Sequence, residues 1–297
     1  MSEFTINLKS SILSGPTDLS LIVPGPQVGE SAKEFYGSGK KYKVLWLLHA
    51  GKGDRNDWLR STTISQMIAN RDVIAVIPNA LNSDFANHPQ FGHGYNYCDF
   101  FFEELMPFIY NWLPASDDPK DNYLAGISMG GAATWMYGLY APEKFAAIAP
   151  FSSAPKNFTF LRPYSDLTAE KFRSMVAANP RAFPAQSGKP EDGMHPKEVN
   201  MITKYATVGD FLNSYEHSWD RFCEIAATDK LPKVYLPCGS SCGPTDRSFE
   251  RVLKFKQDAD KLAFGNRIVY DFVPGYSHNF EFWQFILPRA LEFFGIC

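Results

Sequence analysis

The distribution of apolar residues along the chain is uneven in a way that predicts alternating strands and helices. Lys43-Val-Leu-Trp-Leu-Leu-His49 is an uninterrupted apolar run too short for a helix of ordinary length, as a strand buried on both faces requires. Burial on both faces implies a parallel sheet covered by helices. The same rhythm repeats: a helix-like pattern over Trp58 to Ala69, a strand over Val73 to Ile77, a helix over Phe100 to Trp112, a strand over Tyr123 to Ile127, a helix from Met129, and a strand over Ala146 to Pro150. It resumes with a strand over Lys233 to Cys238, a helix over Arg247 to Leu262, a strand over Arg267 to Val273 and a helix over Phe280 to Phe294. Two candidate strands, Phe4 to Leu8 and Leu19 to Val23, precede the series, followed by a Gly/Lys-rich turn at Gly37 to Lys41. Between the two halves, residues 152–214 carry prolines at 155, 163, 180, 184, 190 and 196 and show little periodicity, so this stretch reads as an insertion, with a cap over a site at a strand end and a surface decoration as its two candidate roles. The expected architecture is one α/β domain over 1–297 with a mostly parallel central sheet, helices on both faces and a cap-like insertion.

Composition narrows the partners. With 29 Lys plus Arg against 32 Asp plus Glu, the net charge is −3, and no basic excess offers itself to a phosphate backbone, so nucleic acid is not expected. No apolar run approaches the ~18 residues a membrane span needs, and the N-terminus has no signal-peptide pattern. The five cysteines (98, 223, 238, 242, 297) form an odd set without CxxC pairs, which argues against a disulfide framework or a zinc ribbon and fits a reducing, cytoplasmic setting. A homo-oligomer is compatible with these features.

The chemistry concentrates at the predicted strand ends. Gly126-Ile-Ser128-Met-Gly130 matches G-x-S-x-G, a pattern that chance alone produces in about one chain in ten of this length. Its setting sharpens it: a strand leads in, and a helix beginning Met129-Gly-Gly-Ala-Ala leads out, as the strained strand-to-helix turn of a nucleophile elbow demands. A serine hydroxyl needs a base, and of the six histidines (49, 88, 93, 195, 217, 278) His278 alone follows the last predicted strand, which brings it to the same sheet edge as Ser128. His49-Ala-Gly51 directly follows a strand, like the loop that donates one oxyanion amide. Gly51, with Ala50 as the neighbouring alternative, and Met129 are the expected donors. Neither Gly51-Lys-Gly53 nor Gly37-Ser-Gly-Lys40 completes a nucleotide-binding motif.

Leu47-Leu-His-Ala-Gly with Asp57-Trp58, Val76-Ile-Pro-Asn79, Glu103-Glu-Leu-Met-Pro107, Ala125-Gly-Ile-Ser-Met-Gly-Gly131 and Gly275-Tyr-Ser-His278 with Phe282-Trp283 behind it together resemble the esterase D and tributyrin esterase branch of the α/β-hydrolases. S-formylglutathione hydrolases and several feruloyl esterases share that branch. The resemblance implies the α/β-hydrolase fold and cofactor-free, metal-free hydrolysis of small short-chain acyl or aryl esters. It assigns Ser128 as nucleophile, His278 as base, and Gly51 and Met129 as amide donors. Loop aromatics Trp58, Phe91 and Tyr95 are candidates to line the acyl pocket, with core packing the competing role for each. Thioester hydrolysis, acyl transfer and a weakly catalytic binding role are the alternatives. One position departs from the family: its acid aligns with Cys242 in Cys238-Gly-Ser-Ser-Cys242-Gly-Pro-Thr-Asp246. Asp246, four residues on, is the nearest substitute as triad acid, against the competing reading that it caps the following helix.

Overall fold

The computed structural model describes residues 1–91, 94–185, 193–241 and 247–297. The described residues form an eight-stranded sheet: β1 (Ser2–Ser10), β2 (Gly15–Val23), β3 (Lys43–Leu48), β4 (Val73–Pro78), β5 (Asn122–Ile127), β6 (Ala147–Phe151), β7 (Lys233–Gly239) and β8 (Ile268–Val273). The spatial order is β1-β2-β4-β3-β5-β6-β7-β8. β1 pairs antiparallel with β2, and β2 with β4, while every later pairing is parallel. This is the α/β-hydrolase fold. Every residue of β4, β5 and β6 is buried, which is why those segments read as continuous apolar runs rather than alternating ones.

Helices fill the crossovers. Ahead of the elbow lie α1 (Ala32–Gly37), α2 (Asp57–Ser61), α3 (Ile64–Met67), α4 (Tyr97–Asp99) and α5 (Met106–Trp112). The elbow opens α6 (Met129–Tyr140). After it come α7 (Ala169–Ala178), α8 (Pro196–Ile202), α9 (Val208–Leu212), α10 (Ser218–Ala226), α11 (Ser248–Lys261) and α12 (Phe280–Phe293). One face of the sheet packs around Trp46, Phe101, Trp135 and Tyr137, and the other around Trp58, Phe151, Phe282 and Trp283. No described helix is long and apolar enough to cross a membrane.

Two expectations need correction. The helix expected over 58–69 is broken into α2 and α3, because Thr62 is extended (φ −138°, ψ 168°) and its hydroxyl bonds the Trp58 carbonyl at 2.5 Å, ending the first turn. The segment expected to be irregular holds α7, α8 and α9, which surround an apolar cluster of their own with Phe158, Phe172, Phe183, Ile202 and Phe211 at its centre. Capping sustains these short helices: Thr207 and Asp210 form a reciprocal box on α9, and His195 and Glu198 do so on α8.

The strand order reverses direction at β3, whose neighbours β4 and β5 both follow it in the chain. A crevice opens at such a switch point, at the strands' C-terminal ends. The loops after β3, β5, β6 and β8 carry Gly51, Ser128, Ser152 and His278 to that edge.

Candidate active site

Ser128 occupies the single residue between β5 and α6, with φ 57° and ψ −109°. A non-glycine residue held there costs on the order of 1–3 kcal/mol, which surrounding structure must offset. Its amide donates to the Phe151 carbonyl at 3.1 Å, and its own carbonyl accepts from Ala132 at 3.0 Å as the first bond of α6. The flanking glycines are sterically required. A Cβ on Gly126 would lie 2.2 Å from the Gly130 oxygen, and one on Gly130 would lie 2.5 Å from the Leu48 oxygen. The turn is thereby pressed onto the end of β3, and Ser128 stands at the positive end of the α6 dipole.

His278 lies 150 residues away in sequence, yet its Nε2 is 2.8 Å from Ser128 Oγ. Its loop is braced from two sides. Asn279 caps α12 by accepting from the Phe282 amide at 3.1 Å, while Ser277 Oγ donates to the Ser241 carbonyl at 2.7 Å and the Ser241 amide donates to the Tyr276 carbonyl at 2.9 Å. Trp283 presents its ring edge-to-face to His278, with centroids 5.1 Å apart, and donates its indole N–H to Ser152 Oγ at 3.2 Å. Ser152, itself at φ 55° just after β6, was not singled out from sequence. Trp283 belongs to the pair Phe282-Trp283 that follows His278 in the family resemblance. Asp246 and Cys242, the two positions weighed for the acid, lie outside the described residues.

Gly51 and Met129 meet across the crevice: a Cβ on Gly51 would stand 3.8 Å from Met129 Cβ. The Gly51 loop is held by His49, which is fully buried. His49 Nδ1 is 2.8 Å from the Ala50 carbonyl, and its Nε2 accepts from the Ala80 amide at 3.0 Å. That pair of bonds fits only a neutral ring with its proton on Nδ1, and burial pushes the imidazole below its usual pKa, consistent with that state. The other described histidines have local roles. His88 Nε2 meets the Ser83 carbonyl, His195 caps α8, and buried His217 meets the Leu212 carbonyl, whereas His93 is outside the described residues.

Ser128, His278, Gly51 and Met129 line one cavity of about 1020 Å³, walled by residues 152–160, with Phe158 and Phe160 among them, and by the start of α8, and flanked by α11. Trp58 is not among the lining residues. It is fully buried beneath the sheet, edge-to-face with Phe151 and donating to the Leu48 carbonyl at 3.1 Å, because its position on α2 faces the core. Tyr95 and Phe91 are exposed and pack on each other, with ring centroids 5.4 Å apart, on a loop outside the cavity. These aromatics therefore do not form the expected pocket.

A half-buried serine on a strained strand-to-helix turn, a histidine in contact with it and the Gly51 loop beside Met129, all on this fold, fit a carboxylic ester hydrolase. The comparisons agree. Residues 33–294 match the Esterase family model, and the chain belongs to that family. An acetyl esterase of Caldicellulosiruptor saccharolyticus is 26% identical over 300 residues, covering 98% of this chain and 97% of its own. Among solved structures, the substrate-bound fluorophosphonate-binding serine hydrolase FphF of Staphylococcus aureus aligns with a TM-score of 0.71 at 20% identity, covering 99% of this chain and 98% of its own. The S-formylglutathione hydrolase FrmB of the same organism aligns at 0.70 and 20%, with the same coverage.

Proposed function

We propose that this chain is a serine carboxylesterase that hydrolyses short-chain acyl or aryl esters, hydroxycinnamoyl esters included, through an acyl-enzyme on Ser128. The observation that carries the reading is the 2.8 Å contact between His278 Nε2 and the Oγ of a serine held at positive φ. His278 takes the Oγ proton as Ser128 attacks the ester carbonyl, and the negative charge that forms on the carbonyl oxygen is met by the amides of Gly51 and Met129. The imidazolium then protonates the departing alkoxide, and the same histidine activates the water that releases the acid. The full-length similarity to an acetyl esterase supports a short acyl group.

Asp246 is the proposed partner of His278. It is the only acid in the loop between β7 and α11, and the competing role is weakened because Arg247 holds the N-cap position of α11. A triad carboxylate fixes the tautomer of its histidine, and its loss typically costs ~10⁴-fold in kcat, whereas loss of a helix cap costs about 1 kcal/mol of stability. Asp246→Asn assayed well below its melting temperature separates the two. Activity within about tenfold of the parent would rule Asp246 out. A 4-nitrophenyl ester chain-length series, run beside methyl ferulate and S-formylglutathione, with products analysed in the presence of an added alcohol, defines the acyl group and separates hydrolysis from thioester cleavage and acyl transfer. Preference for long acyl chains, or transfer to the alcohol in place of hydrolysis, would overturn the reading.

A further inference from the structure

The cavity that holds Ser128 is more cationic than the protein around it. Six of its described lining residues are Lys or Arg and four are Asp or Glu, in a chain whose net charge is −3. Most of those cations have close partners. On the α11 wall, Asp258 lies 2.7 Å from Lys254 and 3.2 Å from Lys261, and Arg247 pairs with Glu250. The opposite wall is different. There one oxygen of Asp84 is 2.7 Å from Lys197, while the other is 3.9 Å from Lys156, within ion-pair range but beyond hydrogen-bond distance. Glu198, the other acid on this wall, is turned to the start of α8, where it accepts from the His195 amide at 3.0 Å.

Lys156 is thus left with weak partners. Its ammonium has three donors, yet its polar contacts are the Met201 thioether sulfur at 3.2 Å and one Asp84 oxygen at 3.9 Å, while the side chain is only 21% exposed. Its backbone, by contrast, is fixed: its amide donates to Ser218 Oγ at 2.9 Å and its carbonyl accepts from the Trp219 amide at 3.1 Å, both at the start of α10. Asp84 is fixed as well, at φ 57° in a turn where Leu81 and Phe85 are also at positive φ. Strain of this kind concentrates where a structure holds a group ready for a ligand. A half-buried ammonium anchored at its base, underused at its head and facing the cavity of the reacting serine is what recognition of an anion requires.

We propose that the preferred substrates are esters bearing a carboxylate, and that Lys156 receives that carboxylate. The inference rests on the esterase reading and adds the substrate class. The carboxylate belongs to either the acyl or the alcohol portion, and two matched pairs separate these: 4-acetoxybenzoate against its methyl ester, and the adipate monoester of 4-nitrophenol against 4-nitrophenyl hexanoate. For at least one pair the wild-type protein should favour the anionic member by about tenfold or more in kcat/KM, and rising ionic strength should erode that preference. Lys156→Met should reduce the anionic-to-neutral ratio by about tenfold, chiefly through KM, and Lys156→Arg should restore it. A wild type with no anionic preference in either pair, or a Lys156→Met variant that loses equally on both members, would overturn the assignment while leaving the esterase reading intact. No Ser128-dependent turnover of any ester would overturn both.

Discussion

Replacing His49 by Ala tests how the Gly51 loop, the proposed source of one oxyanion amide, is held. The substitution removes two hydrogen bonds at once, leaving the Ala50 carbonyl with only the Gly53 amide at 3.2 Å and the buried Ala80 amide without its acceptor. An orphaned buried donor costs about 1–3 kcal/mol, and the void left beside Phe85, whose ring centroid is 5.0 Å from the imidazole, adds a further cavity cost. We expect a destabilisation of about 3–5 kcal/mol, which for a chain of this size lowers Tm by about 5–8 °C. The catalytic effect is separable from this. If His49 sets the position of the Gly51 amide, kcat should fall by up to ~10²-fold at temperatures where the variant is fully folded, with KM little changed, because an oxyanion donor acts on the transition state. His49→Gln, whose amide can both donate and accept, should recover part of each loss. Thermal denaturation and steady-state kinetics on a 4-nitrophenyl ester give both numbers. A variant that loses stability but keeps kcat within threefold would refute the claim that this histidine positions the loop.

Further outcomes follow from the same geometry. Gly130→Ala places a Cβ 2.5 Å from the Leu48 oxygen and 2.7 Å from the His49 oxygen, so it should cost several kcal/mol in denaturant titration and depress kcat by displacing α6 from β3; near-parental values would show that the elbow yields. Burial pushes His49 and His217 below their usual pKa, so in the window below about 6.5 the unfolded chain binds protons that the folded chain does not. Stability should therefore be full above that pH and fall by up to ~2.7 kcal/mol per unit beneath it, or about 4 °C in Tm per unit; a flat Tm between pH 6.5 and 5 would contradict this. Phe160→Ala, at the cavity wall, should shift the ratio of kcat/KM between acetyl and aryl-acyl esters by ~10-fold, whereas equal loss on every ester would indicate damaged packing instead.

How much of this was legible in the sequence depended on the range of the interactions involved. β3, β4, β5 and β7 were readable because burial on both faces writes a local, continuous apolar run, and Ser128 was readable because the elbow's steric demands fall within five residues. His278 followed from topology, since parallel strands deliver their C-terminal loops to one edge. The helices α7, α8 and α9 were not readable. Their apolar positions pack against one another rather than on the sheet, and short capped helices carry little periodic signal. Trp58 was misplaced because a tryptophan after a loop serves core and pocket equally well in one dimension, and only the orientation of α2 decides. The Asp84–Lys156–Lys197 cluster joins positions 113 residues apart at its widest, and nothing local marks it.

The central claim is that Ser128 forms the acyl intermediate with His278 as its base. Treating active protein with a fluorophosphonate and mapping the adduct by mass spectrometry tests it most directly. One adduct is expected, on the peptide containing Ser128, with labelling and the pre-steady-state burst abolished in Ser128→Ala and strongly slowed in His278→Ala. An adduct on another serine in active protein, or a burst that survives Ser128→Ala, would contradict it.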